Sequence, residues 1–248
     1  MKSATAVILA AGASSRLGEL ARHYSKPTVP IAGQPLIGRV IGSLRTAGIA
    51  RVVVVGHPSD HRLVTFLREH HPEIAVVMQS ERRGIADALR HALPLLAREA
   101  GYLVCACDSL FVPDDIARVQ RFGQAQPGDA VIGVLATGTE AATRGAVRLG
   151  ADGPDSASVL EIVHKPASRS ELSGVLATPL YWLPRSFAPY VDTVVPGRGE
   201  SDISSALNSF IIGGGAVHAV RVTQCLPITV REDLERAAAW FRHQEAQS

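Results

Sequence analysis

A short segment near the start of the chain carries small residues followed by two cations. The apolar run 6–11 ends in the small, polar turn 12–15, and Arg16 and Lys26 follow it. Small residues let backbone N–H groups approach an anion closely, and glycine can adopt the positive φ of an anion-binding turn. Arg16 offers a planar fork to phosphate oxygens, and Lys26 a movable charge. The pattern indicates a phosphate-binding loop; an ordinary solvated loop after a buried strand is the alternative.

The residues expected to hold the phosphates lie at the end of this strand and in the turn after it. They are Leu9, Ala10, Ala11, Gly12, Ala13, Ser14 and Ser15. The two serines add hydroxyl donors to the backbone N–H groups of the turn.

An acid stands directly after another apolar run. Asp108 follows residues 102–107, which read as a buried strand. Ligands of open α/β sheets gather at the carboxyl ends of the strands, so Asp108 is expected at the same edge of the sheet as Gly12. A carboxylate there suits Mg²⁺, which is usually held by one or two acids together with phosphate oxygens and water. The alternative is that Asp108 caps the turn that follows it.

Gln79 ends a third short strand, and Gly84 follows it closely. A glutamine amide can donate one hydrogen bond and accept another, which fits the amide edge of a pyrimidine. A nearby glycine lets the backbone approach the ring. A polar strand end and a glycine at a helix start are the alternative interpretation of the same residues.

Bringing these strand ends together requires a sheet, and the periodicity of the first half predicts one. Apolar runs alternate with segments of helical periodicity. The expected strands are 51–56, 74–78, 101–107 and 129–136, and the expected helices are 35–47, 85–98 and 114–122. Repeated strand–helix units predict an α/β fold with three layers, α/β/α, around an open and mostly parallel sheet.

The pattern changes near residue 138, where an antiparallel insertion is predicted. The antiparallel pair is expected at 145–150 and 158–163, and a further strand at 216–222, whereas 174–183 is another apolar stretch. The expected helices are 201–212 and 231–244. The glycines at 213–215 follow a helix and precede a strand, so they indicate a helix end and a turn rather than a dinucleotide loop. No linker divides the chain, and one domain over residues 1–248 is favoured.

The composition is that of a globular protein. Hydrophobic residues make up 46% of the chain and charged residues 19%, which excludes a disordered chain. A net charge of +2 without a basic tract gives no indication of nucleic acid as a partner, and no apolar run reaches membrane-spanning length. Three cysteines without metal-type spacing argue against a disulfide framework and favour the cytoplasm. Assembly into a homo-oligomer is compatible with this composition.

The stretch Leu9–Leu17, followed by Lys26–Leu36, resembles the signature of the sugar-1-phosphate nucleotidyltransferases. That resemblance implies a Rossmann-like fold of the glycosyltransferase-A type and Mg²⁺-dependent transfer of a nucleotidyl group from an NTP to a sugar-1-phosphate. Arg16, Lys26 and Asp108 would be the catalytic residues, with Asp108 as metal ligand. The segment 79–85 is similar to the part of this family that reads uracil or thymine, with Ile85 in place of threonine, so UTP or dTTP is favoured.

The same resemblance places residues of the second half at the sugar phosphate. Lys165 matches a lysine that contacts the sugar phosphate, whereas His164 replaces the glutamate that precedes it in the family. Glu200 resembles another sugar-facing glutamate, and Pro179 stands where the family has a glycine. The resemblance therefore implies a nucleotide-binding half, 1–136, and a sugar-phosphate-binding half, 137–248.

The expected second metal ligand is missing from its place near the C-terminus. Pro227 or Thr229 occupies the position of the family's acid or asparagine. Asp202 and Asp233 are close in sequence, but no motif places them at the metal, and Asp233 is expected in the first turn of the last helix.

Two other functions remain open. The departures at the metal and sugar positions suit a non-catalytic protein that binds a nucleotide sugar and regulates a partner. The pair Ser14-Ser15, where the sugar branch usually has Gly-Thr, is similar to the molybdopterin branch of the same superfamily. That branch implies cytidylyl or guanylyl transfer to a molybdopterin-type or other non-sugar phosphate, although its enzymes fit the segment 79–85 less well.

Overall fold

A computed structural model describes residues 4–12, 18, 20–136, 145–152, 156–163, 175–192 and 202–245. Its strands are β1 (Thr5–Leu9), β2 (Pro30–Ile31), β3 (Gln34–Pro35), β4 (Arg51–Gly56), β5 (Ala75–Met78), β6 (Gly101–Ala106), β7 (Ser109–Leu110), β8 (Ala130–Ala136), β9 (Ala146–Asp152), β10 (Ala157–Val163), β11 (Val175–Pro184), β12 (Val217–Arg221) and β13 (Leu226–Pro227). Its α-helices are α1 (Leu20–His23), α2 (Leu36–Thr46), α3 (His61–His70), α4 (Ile85–Leu96), α5 (Pro113–Ala125), α6 (Ala188–Asp192), α7 (Ile203–Ile212) and α8 (Arg231–Glu245). Short 3₁₀ turns lie at Lys26–Thr28 and Arg185–Phe187.

Nine strands form one mixed sheet in the order β5-β4-β1-β6-β11-β8-β12-β10-β9. The pairs within β5-β4-β1-β6 are parallel, as the repeated strand–helix units predict. β11 runs antiparallel to both β6 and β8, and the predicted pair β9 and β10 is antiparallel. The α/β class is therefore confirmed, but the sheet is mixed rather than mostly parallel.

The hydrophobic side chains of the sheet point to both of its faces. Alternate residues of β1 enter different clusters, because successive side chains of a strand point to opposite sides. Ile8 packs in the cluster that contains α2, α3, α5 and α8, whereas Val7 packs in the cluster that contains α4, α6 and α7. A strand buried on both faces needs a continuous apolar sequence, which explains the uninterrupted runs of β1, β4 and β6.

The glycine segment 213–215 lies between α7 and β12. α7 ends at Ile212 with Gly213 as its C-cap, and Gly214 adopts a φ of +86°, a conformation that residues other than glycine rarely take. The glycine segment thus ends a helix before β12, as predicted. Within the described ranges, no helix is both long and apolar enough to cross a membrane.

Candidate active site

A pocket of about 210 Å³ lies at the carboxyl ends of β1, β5 and β6. These strands are connected by parallel pairing through β4, so their carboxyl ends face the same edge of the sheet. The pocket brings together the following residues singled out from the sequence: Leu9, Ala10, Ala11, Gly12, Lys26, Gln79, Gly84, Ile85 and Asp108. Segments separated by up to about a hundred residues in the chain therefore meet in one cavity.

Several other predicted site residues lie outside the described residues and stay predictions. They are Ala13, Ser14, Ser15, Arg16, His164, Lys165 and Glu200. Pro179 is described and lies in β11, where the pairing with β8 is interrupted between Ala177 and Tyr181. Proline has no N–H to donate to a sheet, which accounts for this break.

Lys26 and Asp108 form an ion pair in the pocket. The Lys26 Nζ lies 2.7 Å from Asp108 Oδ2, and the exposed fractions of the two side chains are 16% and 41%. Lys26 begins the 3₁₀ turn Lys26–Thr28, which Ser25 and Thr28 cap reciprocally. A short, capped turn fixes the lysine backbone, whereas its long side chain can still change partner.

The backbone at Asp108 is held on two sides. The N–H of Cys107 donates to the carbonyl of Leu9 at 3.0 Å, which joins the ends of β6 and β1. The N–H of Ile228 donates to the carbonyl of Asp108 at 2.7 Å, and β13 pairs with β7 next to it. The position of the carboxylate is therefore set by the sheet and by a C-terminal segment together.

Asp108 is the only acid among the described residues that line the pocket. No group of three His, Cys, Asp or Glu side chains gathers anywhere in the described part of the chain. Pro227 stands opposite Ser109 in the β13–β7 pair and supplies no ligand side chain. One half-exposed carboxylate fits Mg²⁺ only where phosphate oxygens and water complete its shell.

The two acids near the expected second metal position cap helices. Asp202 Oδ1 accepts a hydrogen bond from the N–H of Ser205 at the start of α7. Asp233 Oδ2 accepts hydrogen bonds from the N–H groups of Thr229 and Val230 at 2.6 and 2.9 Å. The prediction that Asp233 belongs to the first turn of the last helix is thus confirmed.

Gln79 is buried at the rim of the pocket and holds the start of α4. Its Nε2 donates to the carbonyl of Gly84 at 3.1 Å and to Asp87 Oδ2 at 2.7 Å. Gly84 has a φ of +102° directly before the helix, which favours glycine at this position. Asp87 also accepts from the guanidinium of Arg90. Burial raises the pKa of Asp87, but the hydrogen bonds from Gln79 and Arg90 outweigh it, and the pKa lies below its usual value.

Arg82 is a pocket residue that the sequence interpretation missed. Its Nε donates to the carbonyl of Ala11 at 3.0 Å, so it connects the β5–α4 loop to the end of the first strand. The terminal nitrogens of this exposed guanidinium have no partner among the residues described. The neighbouring Arg83 pairs instead with Glu81. The sequence signal was a pair of arginines after a strand end, which does not indicate which of them faces the pocket.

Cys107 is a buried pocket residue without a nucleophilic role. Burial raises the pKa of its thiol well above the usual value, and the nearby charge of Asp108 raises it further. The thiol is therefore neutral at physiological pH, and a neutral thiol is a poor nucleophile.

The fold resembles that of a solved nucleotide-sugar enzyme. The crystal structure of UDP-glucose pyrophosphorylase complexed with UDP-glucose superposes with a TM-score of 0.86 and 16% sequence identity, covering 98% of this chain and 99% of that chain. This similarity shows that the chain has the same α/β fold as that protein.

The family follows from the sequence. Residues 6–210 match the model of the MobA-like NTP transferase domain, so the chain belongs to this family of nucleotidyltransferases. The resemblance seen in the sequence motifs is thereby confirmed.

Curated relatives are similar over most of this chain. The bifunctional protein GlmU of Methanococcus maripaludis strain S2 is 24% identical over 218 residues, which cover 88% of this chain and 49% of that protein. The GlmU of Chromobacterium violaceum is 32% identical over 232 residues, covering 90% and 47% respectively. The chain thus spans about half the length of these relatives.

Proposed function

We propose that this protein transfers a nucleotidyl group from UTP or dTTP to a sugar-1-phosphate, which yields a nucleotide sugar and pyrophosphate. The observation that carries the proposal is the pocket in which Gly12, Lys26 and Asp108 meet Gln79 and Gly84. The end of β1, a cation and an acid thus share one cavity with a buried amide, an arrangement that suits phosphates next to a base. Similarity to GlmU proteins and to a pyrophosphorylase complexed with UDP-glucose supports the same substrate class.

The reaction needs no protein nucleophile. An oxygen of the sugar phosphate is already anionic, and it attacks the α-phosphorus of the NTP to form a new P–O bond. The bond from the α-phosphorus to its bridging oxygen breaks, and pyrophosphate leaves with the electron pair. The protein contributes position and neutralisation of charge, which are the main sources of rate in phosphoryl transfer.

Lys26 and Arg16 are the proposed cations of this step. Lys26 pairs with Asp108 in the structure. An incoming triphosphate would offer the ammonium group a more highly charged partner, and Asp108 would then be released to hold Mg²⁺. Bound Mg²⁺ would supply further neutralisation of the phosphate charge, with water and phosphate oxygens completing its shell.

The acceptor is proposed to bind through the second half of one domain. Lys165, His164, Glu200 and Pro179 would contact the sugar phosphate or the sugar, within residues 137–248. Residues 1–136 would hold the nucleotide. All three cysteines are buried and none forms a disulfide, which is consistent with the proposed cytoplasmic location.

Release of pyrophosphate tests the proposal. The protein is incubated with Mg²⁺, each of the common NTPs and a panel of sugar-1-phosphates. We expect release only when an acceptor is present, with UTP or dTTP preferred. Tight binding of nucleotide sugars without release for any pair would instead support the regulatory protein that the missing second metal ligand suggests.

A second candidate is cytidylyl or guanylyl transfer to a molybdopterin-type or other non-sugar phosphate. The match to a MobA-like family model and the Ser14-Ser15 pair favour it. Preference for CTP or GTP, together with no pyrophosphate release with any sugar-1-phosphate, would support this candidate over the first.

A further inference from the structure

The amide of Gln79 can take only one orientation in this structure. Gln79 is 3% exposed, and its nitrogen donates both of its hydrogens, to the Gly84 carbonyl and to Asp87. A carbonyl can only accept, and so can an ionised carboxylate. The pKa of Asp87 lies below its usual value, so the side chain is ionised at neutral pH. A flipped amide would set its oxygen against two acceptors, and burial makes such unpaired contacts costly.

The fixed orientation leaves the amide oxygen for the pocket. Gln79 lines the cavity, and its Oε1 has no partner among the described residues. The sequence suggested that this side chain could both donate to a base and accept from it. The structure differs, because neighbours already use both donor hydrogens, and the glutamine can offer a ligand only an acceptor.

We propose that Asp87 is a positioning residue that sets the base preference of the site through Gln79. This inference rests on the proposed nucleotidyltransferase function. An amide oxygen that is left for the pocket can accept from the N3–H of uracil or thymine. Cytosine has an unprotonated nitrogen at N3, so two acceptors would face each other there. Selection against a wrong base by a buried polar group is typically stronger than selection by shape alone.

Hydrogen bonds from two residues hold the carboxylate of Asp87 in place. Its Oδ1 accepts two hydrogen bonds from Arg90, at 3.2 and 2.7 Å, and Oδ2 serves Gln79. The ring of His91 lies 3.6 Å from Oδ2 on the same helix. One carboxylate oxygen is thus held by the helix, and the other is directed at the amide.

The test measures binding of UTP and of CTP, each with Mg²⁺ and without an acceptor, by titration calorimetry. The protein without substitutions should bind UTP at least about 10-fold more tightly than CTP. Asp87→Leu removes one of the two acceptors and leaves the Gly84 carbonyl alone to hold the amide, so we expect the UTP:CTP ratio to fall by about 3-fold or more. Asp87→Asn keeps an oxygen for the Gln79 amide and should restore most of the ratio.

Two further variants separate a positioning role of Asp87 from an effect on the stability of the fold. Asp114→Leu makes the same change in the first turn of α5, at an exposed residue outside the pocket, and should leave the ratio unaltered. If Asp87→Leu does not give a cooperative thermal transition, Asp87→Ala replaces it, with the same expected loss of discrimination. A loss of stability alone would weaken UTP and CTP binding equally.

The outcomes distinguish this inference from the proposed function. An unchanged UTP:CTP ratio in both the leucine and alanine variants would overturn it, as would a wild-type protein that prefers CTP or binds neither nucleotide. Pyrophosphate release with UTP, together with an unchanged UTP:CTP ratio in the Asp87 variants, would overturn only the role of Asp87. The transferase reaction would then still be supported. A ratio that depends on Asp87 without any pyrophosphate release would leave that role intact and contradict the transferase reaction.

Discussion

At the scale of single residues, the ion pair of Lys26 and Asp108 is the central feature of the pocket. The carboxylate is 41% exposed, and ion pairs that face water contribute little to stability, about 0–1 kcal/mol. The pair therefore adds little to folding, which agrees with the role in ligand binding proposed for both residues.

Replacement of this lysine should separate activity from stability. Lys26→Met is expected to lower turnover by about 100-fold or more, since it removes a charge that the reacting phosphates need. The thermal midpoint should change by only a few degrees, as expected for a loss of about 1 kcal/mol or less. Pyrophosphate release and a thermal melt measure the two effects.

Arg45→Met is the matched control for Lys26→Met. Arg45 pairs with Glu73 on the surface and does not line the pocket, so turnover should stay near the wild-type value. Wild-type turnover in the Lys26 variant would show that the lysine has no part in the reaction.

Arg82 and Arg83 provide a test with neighbouring residues of the same type. Arg82→Ala removes a guanidinium at the pocket and should weaken UTP binding by about 10-fold, as charge-assisted hydrogen bonds are worth roughly 1.5–3 kcal/mol. Arg83→Ala breaks a surface pair with Glu81 and should have little effect. Equal effects of the two substitutions in calorimetric titrations would argue against a specific contact from Arg82.

The sequence predicted part of the site for a physical reason. Gly12, Gln79 and Asp108 follow recognisable strands, and the rule that parallel strand ends share one edge brings them together. Arg82 and Asp87 could not be placed in this way. Their contacts depend on the path of one loop and on the rotational position of one helix, which residue types alone do not determine.

At the scale of elements, the start of α8 is fixed by a carboxylate. Asp233 accepts from two backbone N–H groups of the preceding turn and also pairs with Arg236. Burial raises the pKa of Asp233, but the N–H groups of Val230 and Thr229 lower it by more, with help from Arg236. The charged carboxylate thus stabilises the start of α8. The strand β13, which precedes this helix, pairs with β7 directly after Asp108.

The lowered pKa of Asp233 gives stability a defined dependence on pH. A carboxyl group whose pKa is lower in the folded than in the unfolded state adds stability above its unfolded pKa, about 4, and loses this contribution as pH falls through the folded value. We expect Asp233→Asn to cost about 1 kcal/mol of unfolding free energy at pH 7 and clearly less at pH 3. Urea unfolding at the two pH values measures the difference.

Asp114→Asn is the control for this helix start. Asp114 is exposed and has no partner among the described residues, so its replacement should leave the pH dependence unchanged. A cost for Asp233→Asn that is the same at both pH values would mean that the ionised carboxylate does not stabilise α8.

At the scale of the whole molecule, the sheet joins two unlike parts. The parallel strands β5-β4-β1-β6 carry the pocket, and β11 joins them to the remaining strands with its direction reversed. The first part could be predicted because alternating strands and helices leave few possible topologies. The direction of β11 could not be predicted, because its ten residues of largely apolar sequence indicate a buried strand but not whether it runs parallel or antiparallel to its neighbours.

Transfer of the α-phosphorus is the central step of the proposed reaction. UTP labelled with ³²P at the α-position is incubated with the protein, Mg²⁺ and a panel of sugar-1-phosphates, and the products are separated by charge. We predict label in a UDP-sugar, formed only when an acceptor is present and lost in Asp108→Asn. Label that stays in UTP across the whole panel, while UTP binds in the pocket, would contradict it.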